Sequence, residues 1–273
     1  MAQTETQSAK ARQVPRWDIF GVPVLAGRGN EVANELDARL ADGENIKLTY
    51  LNAHASNLAA GDPEFAAALK SFVILNDGIG LDIAARALKG NAFPENLNGT
   101  DFTLCYLRET PRRFRIFLLG ARPGIAEDAA AAIEATLPQH QIVGSRDGYF
   151  VATGAAEVAA EIRASGADLL LVALGNPAQE LWIDRNFEAT GCRLAIGVGA
   201  LFDFLARRVP RAPQSVRRLR LEWAFRLALE PQRLWRRYLI GNLLFLARVV
   251  RELPRRHTTD PVPAAARELR RET

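Results

Sequence analysis

Short apolar runs that alternate with helical patterns restrict the fold of this chain more than any other feature. From Trp17 onward the two alternate about six times. The predicted strands are residues 47–51, 71–75, 115–119, 141–143, 168–174 and 193–198. They are continuous apolar runs, which are typical of strands covered on both faces. The sequence therefore predicts an α/β fold with an open parallel, Rossmann-like sheet and helices on both faces.

Helical patterns and turn residues separate these strands. Asp62-Pro63-Glu64 opens one helix, with Asp62 as its cap and Pro63 at its first position. Further helices are predicted at residues 81–88, 125–136, 155–165 and 178–189. In an open parallel sheet, ligands bind outside the carboxyl ends of the strands. We therefore expect the functional site in the loops at residues 76–78, 120–124, 175–177 and 197–203.

The C-terminal part of the chain has a different composition. Residues 207–256 hold fourteen arginines, no lysine and three acidic residues, whereas the whole chain has a net charge of only +4. Large apolar residues, among them Trp223, Trp235 and Phe245, lie between the arginines. Because arginine binds phosphate oxygens through two donors at once, this pattern predicts a basic helical appendage with an anionic, partly apolar partner. The alternative is a solvated basic helix face.

These changes in composition predict the domain organisation. The predicted parts are a disordered lead (1–15), an α/β catalytic domain (16–206), an Arg-rich helical appendage (207–253) and a disordered tail (254–273). The first sixteen residues lack the apolar core of a signal peptide, and no run reaches the roughly 20 apolar residues of a membrane span. The two cysteines form no CxxC pair, which fits a reducing cytoplasm.

Asp77 is the first candidate catalytic residue. It follows a predicted strand at the expected ligand edge, within Asn76-Asp77-Gly78-Ile79-Gly80. A carboxylate at that place can take a proton from an incoming hydroxyl group. The alternative is a turn aspartate that caps the next helix.

Two further segments combine turn residues with a helix start. Asn98-Gly99-Thr100-Asp101 precedes a helix, where glycine permits close approach and free N–H groups favour an anion. Gly175-Asn176-Pro177-Ala178-Gln179-Glu180 has the same arrangement, and the Gln179 amide could bind polar substrate atoms. The alternative for both segments is simple turn formation and helix capping.

Several nucleotide and metal motifs are missing from the sequence. It contains no GxGxxG after a strand, no GxxxxGK[ST] and no DxD pair, and its three histidines are scattered. We therefore predict no metal and no cofactor. If the chain binds a diphosphate, its arginines must supply the countercharge.

Taken together, these segments resemble the WecG/TagA/CpsF family of bacterial glycosyltransferases over roughly residues 17–240. The matching strings are LNAH (51–54), NDGIG (76–80), NLNGTDF (96–102), FLLGARPG (117–124), DGYF (147–150), LLLVALGNPAQE (169–180), IGVGALFDF (196–204), PRAP (210–213) and LEWAFRLALEPQRLWRRYL (221–239). The resemblance implies an inverting transferase that moves a sugar from a UDP-sugar to a polyprenyl-diphosphate-linked acceptor. It also implies a metal-free reaction at the inner face of the cytoplasmic membrane, with the protein peripherally bound.

The resemblance assigns roles to individual residues. It makes Asp77 the base and adds Asn52 as its catalytic neighbour. It implies that the basic appendage closes over the nucleotide and touches the anionic membrane surface. The predicted substrate-binding residues are Asn98, Gly99, Asp101, Tyr149, Gly175, Gln179, Arg226, Arg233 and Arg236.

The sequence departs from the family pattern at three positions. Asn96 stands where a positive charge is common, Tyr50 stands where a threonine is common, and Arg207 replaces a glycine. The first two suggest a hexose donor such as glucose instead of one of the N-acetylmannosamine type.

Other functions remain open from the sequence alone. A nucleic-acid-binding protein could use the basic segment, although the acidic remainder of the chain argues against nucleic acid as the partner. A nucleotide-dependent oxidoreductase has the same sheet architecture but needs the missing glycine motif. A third alternative is a non-catalytic sugar-nucleotide-binding protein. The sequence does not decide whether the chain forms a homo-oligomer.

Overall fold

The computed structural model describes residues 13–150, 154–213, 215–216 and 220–256. Within these residues, an eight-stranded sheet forms the centre of the protein. Its strands are β1 Arg16–Ile19, β2 Val22–Leu25, β3 Ile46–Leu51, β4 Val73–Asn76, β5 Arg115–Gly120, β6 Gln141–Arg146, β7 Leu169–Ala173 and β8 Leu194–Gly197. Every strand that the sequence predicts is present, and β1 and β2 are added.

The strands lie in the order β1-β2-β4-β3-β8-β7-β5-β6, and all neighbouring pairs from β2 onward are parallel. This confirms the predicted open parallel sheet. Only β1 runs antiparallel, since it forms a hairpin with β2 at the edge. The hairpin turn is Phe20-Gly21, with φ of +55° and +83°. Positive φ at both positions suits a two-residue hairpin, but a phenylalanine is an unusual residue there, so the sequence did not predict it.

Helices cover both faces of the sheet, as predicted. They are α1 Gly29–Ala41, α2 Ala53–Gly61, α3 Pro63–Leu69, α4 Ile79–Lys89, α5 Gly99–Glu109, α6 Ile125–Thr136, α7 Ala155–Ser165, α8 Ala178–Thr190 and α9 Leu201–Leu205. Helices α1, α5, α6 and α9 pack on one face, and α2, α3, α4, α7 and α8 pack on the other. Asp62 caps α3 as expected, since its Oδ1 accepts hydrogen bonds from the next two free N–H groups.

The Arg-rich segment continues as α10 Glu222–Leu229, α11 Pro231–Trp235, a π-helical turn Arg236–Ile240 and α12 Gly241–Arg256. Helix α12 lies on α2 and α4. Phe245 and Val249 are buried there and join the core on that face of the sheet. Arg248 Nη1 also donates to the backbone oxygen of Ser56 over 2.8 Å. The segment predicted as an appendage is therefore packed against the α/β body.

The predicted boundaries of the disordered lead and the disordered tail differ from the structure by a few residues. Val14 is buried, and its N–H donates to the Glu35 carboxylate over 2.7 Å, so the lead is not disordered as far as residue 15. Helix α12 runs to Arg256, past the predicted boundary at 254. The rest of the predicted lead and tail, residues 1–12 and 257–273, lies outside the described residues. No helix within the described part of the chain is long and apolar enough to cross a bilayer.

Candidate active site

A cleft of about 1670 Å³ lies outside the carboxyl ends of the parallel strands. All the loops predicted from the strand ends contribute to its lining, as do residues of α10, α11, the π-helical turn and α12. The predicted loops therefore meet at one edge of the sheet. The C-terminal segment forms the opposite wall of the same cleft.

Asp77 stands in this cleft directly after β4. Its N–H donates to the Leu51 carbonyl at the end of β3 over 2.8 Å, which holds the turn against the sheet. Asn52 Nδ2 donates to Asp77 Oδ2 over 3.2 Å, and Asn52 Oδ1 caps α2 by accepting from Ala55 N. Helix α4 starts after Gly78 without any side-chain cap, so Asp77 is not the helix cap that the alternative interpretation required.

The surroundings of Asp77 adjust its acidity. Burial raises the pKa of the Asp77 carboxyl group and is the largest effect. The hydrogen bond from Asn52 and the charges of Arg237 and Arg226 act in the opposite direction, whereas Asp101 adds to the increase. The net pKa is above the ordinary value for aspartate, which suits a group that must take up a proton.

The arginines predicted to bind substrate lie in different environments. Arg226 lines the cleft, with Cζ 5.7 Å from the centroid of the Phe204 ring. Arg233 lines it too, but its exposed guanidinium pairs with Glu230, with 2.6 Å between Nε and Oε2. Arg236 is exposed beside the Trp235 ring and does not line the cleft. This last position differs from the sequence-based expectation.

Arg237 occupies the position in the cleft that was expected for Arg236. Its guanidinium lies near Asp77 and Arg226, and burial lowers its pKa. The Nε atoms of Arg226 and Arg237 are both buried with no hydrogen-bond partner among the described residues. The family resemblance assigned this role to Arg236, which lies three positions after Arg233 and so beside it on a regular helix. The π-helical turn that begins at Arg236 widens the helix and alters that register.

Two more titratable residues in the cleft were not assigned a role from the sequence. Glu222, at the start of α10, has a raised pKa, chiefly because it is buried and also because it lies near Asp77 and Asp101. Burial and the nearby charge of Arg237 lower the pKa of His54 to about 4, so its imidazole is neutral at pH 7. Both residues stand in strings that carried the family resemblance, LEWAFR and LNAH, but residue type alone did not distinguish them.

The segment from Asn98 to Asp101 both caps a helix and lines the cleft. Asn98 Oδ1 accepts hydrogen bonds from Thr100 N and Asp101 N, at 3.2 and 2.9 Å, so the capping interpretation is correct for this side chain. Packing favours glycine at position 99, because a Cβ there would lie 3.0 Å from the Tyr50 ring, which would have to shift slightly. The Asp101 carboxylate forms an ion pair with Arg211.

Gln179 has an internal role that the sequence did not reveal. It is buried, its Nε2 donates to Glu180 Oε1 over 2.8 Å, and its Oε1 accepts from Gly199 N over 3.1 Å. It therefore links the first turn of α8 to the loop after β8. Gly175 has φ of +76°, which lets the chain turn at the cleft. Tyr149 is 73% exposed at the cleft edge, next to residues outside the described part.

The positions that depart from the family pattern all have structural consequences. Asn96 lines the cleft and accepts a hydrogen bond from Gly78 N over 2.7 Å. Tyr50 is buried, and its hydroxyl group pairs with Thr103 over 2.8 Å. Arg207 has φ of +54°, a conformation that the glycine common at this position adopts without strain.

Among the described residues, no three His, Cys, Asp or Glu side chains are grouped as a metal-ligand set. A parallel α/β sheet whose cleft holds a half-buried carboxylate, and arginines whose Nε atoms have no hydrogen-bond partner among the described residues, suits an enzyme that acts on an anionic substrate. Residues 17–259 match the model of the Glycosyl transferase WecG/TagA/CpsF family, and the chain belongs to this family. The protein is therefore a glycosyltransferase, and its family acts in cell-wall and surface-polymer synthesis.

Proposed function

We propose that the protein is an inverting glycosyltransferase that moves a sugar from a UDP-sugar to a polyprenyl-diphosphate-linked acceptor. Membership of the family supports a sugar-nucleotide donor and a lipid-linked acceptor. The observation that carries the proposal is that Asp77, held by Asn52, shares one cleft with Arg226 and Arg237, whose charges act on it. This arrangement supports proton removal on one side and stabilisation of a leaving diphosphate on the other.

In the proposed reaction the acceptor hydroxyl oxygen attacks the anomeric carbon of the donor sugar. Its proton passes to Asp77, while the bond between that carbon and the diphosphate oxygen breaks and UDP leaves with the electron pair. Base catalysis contributes a factor of roughly 10²–10⁴ in rate. The arginines contribute through charge-assisted hydrogen bonds to the phosphate oxygens, and we propose that they do so without a divalent metal.

The unpartnered donors support the arginine role. A buried guanidinium Nε without a partner is unfavourable in the free protein, because its lost hydration is not compensated. Arg226 and Arg237 both have such an atom among the described residues, and they lie near one another. A diphosphate between them would supply acceptors and relieve their mutual repulsion. We therefore assign this role to Arg226 and to Arg237, the latter in place of Arg236, and we retain Arg233 because it lines the cleft and the resemblance implies it.

The test is a panel of UDP-sugars, including UDP-glucose and UDP-N-acetylmannosamine, each offered with polyprenyl-diphosphate-linked acceptors. We expect UDP release only when donor and acceptor are both present, with the hexose donor preferred and no loss in the presence of a chelator. Product NMR should show an inverted anomeric centre. Binding of UDP without acceptor-dependent release would support a non-catalytic sugar-nucleotide-binding protein instead, and loss of activity on chelation would refute the metal-free reaction.

We further propose that the C-terminal segment binds an anionic membrane surface. Leu239 and Leu243 are 50% and 68% exposed and line the same cleft as Asp77, so an apolar rim borders the reaction site. Leu244 and Val250 are also exposed on α12, at 57% and 65%. Exposed leucines near arginines support attraction to anionic lipid, at about 1 kcal/mol per basic residue close to the surface. This location would bring a lipid-linked acceptor to the cleft.

Flotation with phosphatidylserine vesicles tests the membrane proposal. The double variant Leu244→Glu/Val250→Glu changes exposed α12 residues outside the cleft lining, and we expect it to lose most of its vesicle binding. Ala131→Glu places a single charge on the exposed surface of α6 and serves as a control that still floats. Truncation at residue 206 is unsuitable, because it would remove Phe245 from the core. Equal flotation of the double variant and the wild type would overturn the proposal.

A further inference from the structure

Glu180 is fully buried in the first turn of α8, and three hydrogen bonds converge on one of its carboxyl oxygens. Oε1 accepts from Thr49 Oγ1 over 2.7 Å, from Asn176 Nδ2 over 2.6 Å and from Gln179 Nε2 over 2.8 Å. Oε2 is buried with no partner among the described residues. Glu180 therefore joins β3, the loop after β7 and the start of α8 at a single acceptor.

This convergence fixes which way two carboxamide groups point. A carboxamide has an NH₂ end that donates and an oxygen end that accepts, and Glu180 Oε1 can only accept in this arrangement. Asn176 and Gln179 must therefore both turn their NH₂ groups toward Glu180. Gln179 then presents its oxygen to Gly199 N, which donates to it over 3.1 Å. Asn176 Oδ1 is left as an acceptor on a half-buried residue that lines the cleft.

We propose that Glu180 is a positioning residue that orients the Asn176 carboxamide, so that Asn176 Oδ1 faces the cleft and accepts a hydrogen bond from an N–H or O–H group of the sugar nucleotide. This inference rests on the proposed function, because it names the part of the site that binds the donor. A pyrimidine imide and a sugar hydroxyl group both provide such a donor. Glu180 is not part of the cleft lining and acts only through its neighbours.

The proposal predicts which substitutions of Glu180 are tolerated. Burial raises the pKa of Glu180, and a proton on the unpartnered Oε2 leaves Oε1 free to accept the same three bonds. Glu180→Gln also keeps an acceptor oxygen, so the orientation of Asn176 is preserved. Glu180→Leu removes the acceptor, and the Asn176 carboxamide is then free to turn its NH₂ group into the cleft.

Titration calorimetry of the full chain with UDP and with UDP-glucose tests the inference. We expect Asn176→Ala and Glu180→Leu each to weaken binding about tenfold, which is the size of one hydrogen bond, and Glu180→Gln to stay within about threefold of the wild type. The double variant Asn176→Ala/Glu180→Leu should bind no more weakly than Glu180→Leu alone, since both changes remove the same contact. Asn186→Ala, a control on the same helix whose Nδ2 bonds the Trp182 carbonyl, should bind normally.

The outcomes separate this inference from the proposed function. A wild type that binds neither UDP nor UDP-glucose would contradict the donor assignment itself. A wild type that binds, together with normal binding by Asn176→Ala, would overturn the inference alone. So would equal weakening by Glu180→Gln and Glu180→Leu, because that result would make the charge of residue 180 decisive. If Glu180→Leu does not fold, the binding of Glu180→Gln and Asn176→Ala still tests the inference.

The same titrations show which part of the ligand Asn176 contacts. Weakening of UDP-glucose binding with unchanged UDP binding identifies a sugar hydroxyl group, and equal weakening of both identifies the nucleotide.

Discussion

Replacing Arg237 with alanine gives the sharpest test of the site, because its neighbour Arg236 provides a matched control. Arg237 is half-buried in the cleft near Asp77 and Arg226, and its Nε has no partner among the described residues. Arg236 is exposed, and its guanidinium lies beside the Trp235 ring. A hydrogen bond to a charged group contributes about 1.5–3 kcal/mol. Loss of one such bond to the leaving diphosphate therefore predicts a decrease in kcat of roughly 10- to 150-fold for Arg237→Ala.

Unlike kcat, the folding stability of Arg237→Ala should not decrease. Arg237 pays a desolvation cost in the free protein and lies close to the like charges of Arg226 and Arg233, which lower its pKa together with burial. Removing it should leave the melting temperature unchanged or higher. Its loss also removes a charge that lowers the pKa of Asp77, so the acid side of the pH–kcat profile should move to higher pH.

The assay is UDP release at saturating donor with a short-chain, soluble acceptor, so that membrane binding does not contribute. Arg236→Ala should keep wild-type turnover in this assay and lose affinity only for anionic vesicles. The reasoning is refuted if Arg236→Ala loses as much turnover as Arg237→Ala, or if Arg237→Ala is inactive only because it has unfolded.

Three further substitutions test the base, the close approach of β5 to β7 and the packing of the C-terminal segment. Asp77→Asn should lower kcat by roughly 10²–10⁴-fold. Because folding raises the pKa of the Asp77 carboxyl group, deprotonation of this group destabilises the folded protein as pH rises. Chemical denaturation at pH 7 should therefore find the variant at least as stable as the wild type. Gly120→Ala should lower the free energy of unfolding by about 3 kcal/mol, because φ at Gly120 is +127° and a Cβ there would lie 2.5 Å from the backbone of β7. In the control Gly61→Ala, the added Cβ has no atom within 4 Å, so the free energy of unfolding should not change. Phe245→Ala should cost about 3–5 kcal/mol in urea unfolding if α12 is part of the cooperative fold, and the exposed Leu243→Ala should change stability by less than about 0.5 kcal/mol.

The sequence predicted those features that depend on local chemistry. Apolar runs predicted the parallel strands, and the rule that ligands bind at the carboxyl ends then identified the turn at Asp77. Asp62 and Asn98 cap helices because their short side chains reach the first free N–H groups, which is a local property. The role of Asp77 was suggested by its place after a strand as well as by the resemblance, whereas the role of Asn52 came from the resemblance alone; their hydrogen bond is visible only in the structure.

The features that the sequence did not predict depend on tertiary packing. Whether Arg236 or Arg237 enters the cleft depends on a π-helical turn, and no residue type marks such a turn in advance. Gln179 was predicted to bind substrate and does line the cleft, but its hydrogen bonds to Glu180 and Gly199 are visible only in the structure. Glu222 lies 145 positions from Asp77 in sequence, and only the docking of the C-terminal segment brings their charges together.

The way α12 packs links membrane binding to the chemistry of the cleft. Helix α12 lies on α2 and α4, whose first residues follow Asn52 and Gly78. Gly80 lies at this contact, where a Cβ would be 3.6 Å from the Phe245 ring, an ordinary contact distance, and 3.2 Å from the Ala53 Cβ, which is tight. The same helix exposes Leu243 and its neighbours on the side away from the core. The surface proposed to meet lipid and the pair proposed to activate the acceptor are therefore held by the same two helices.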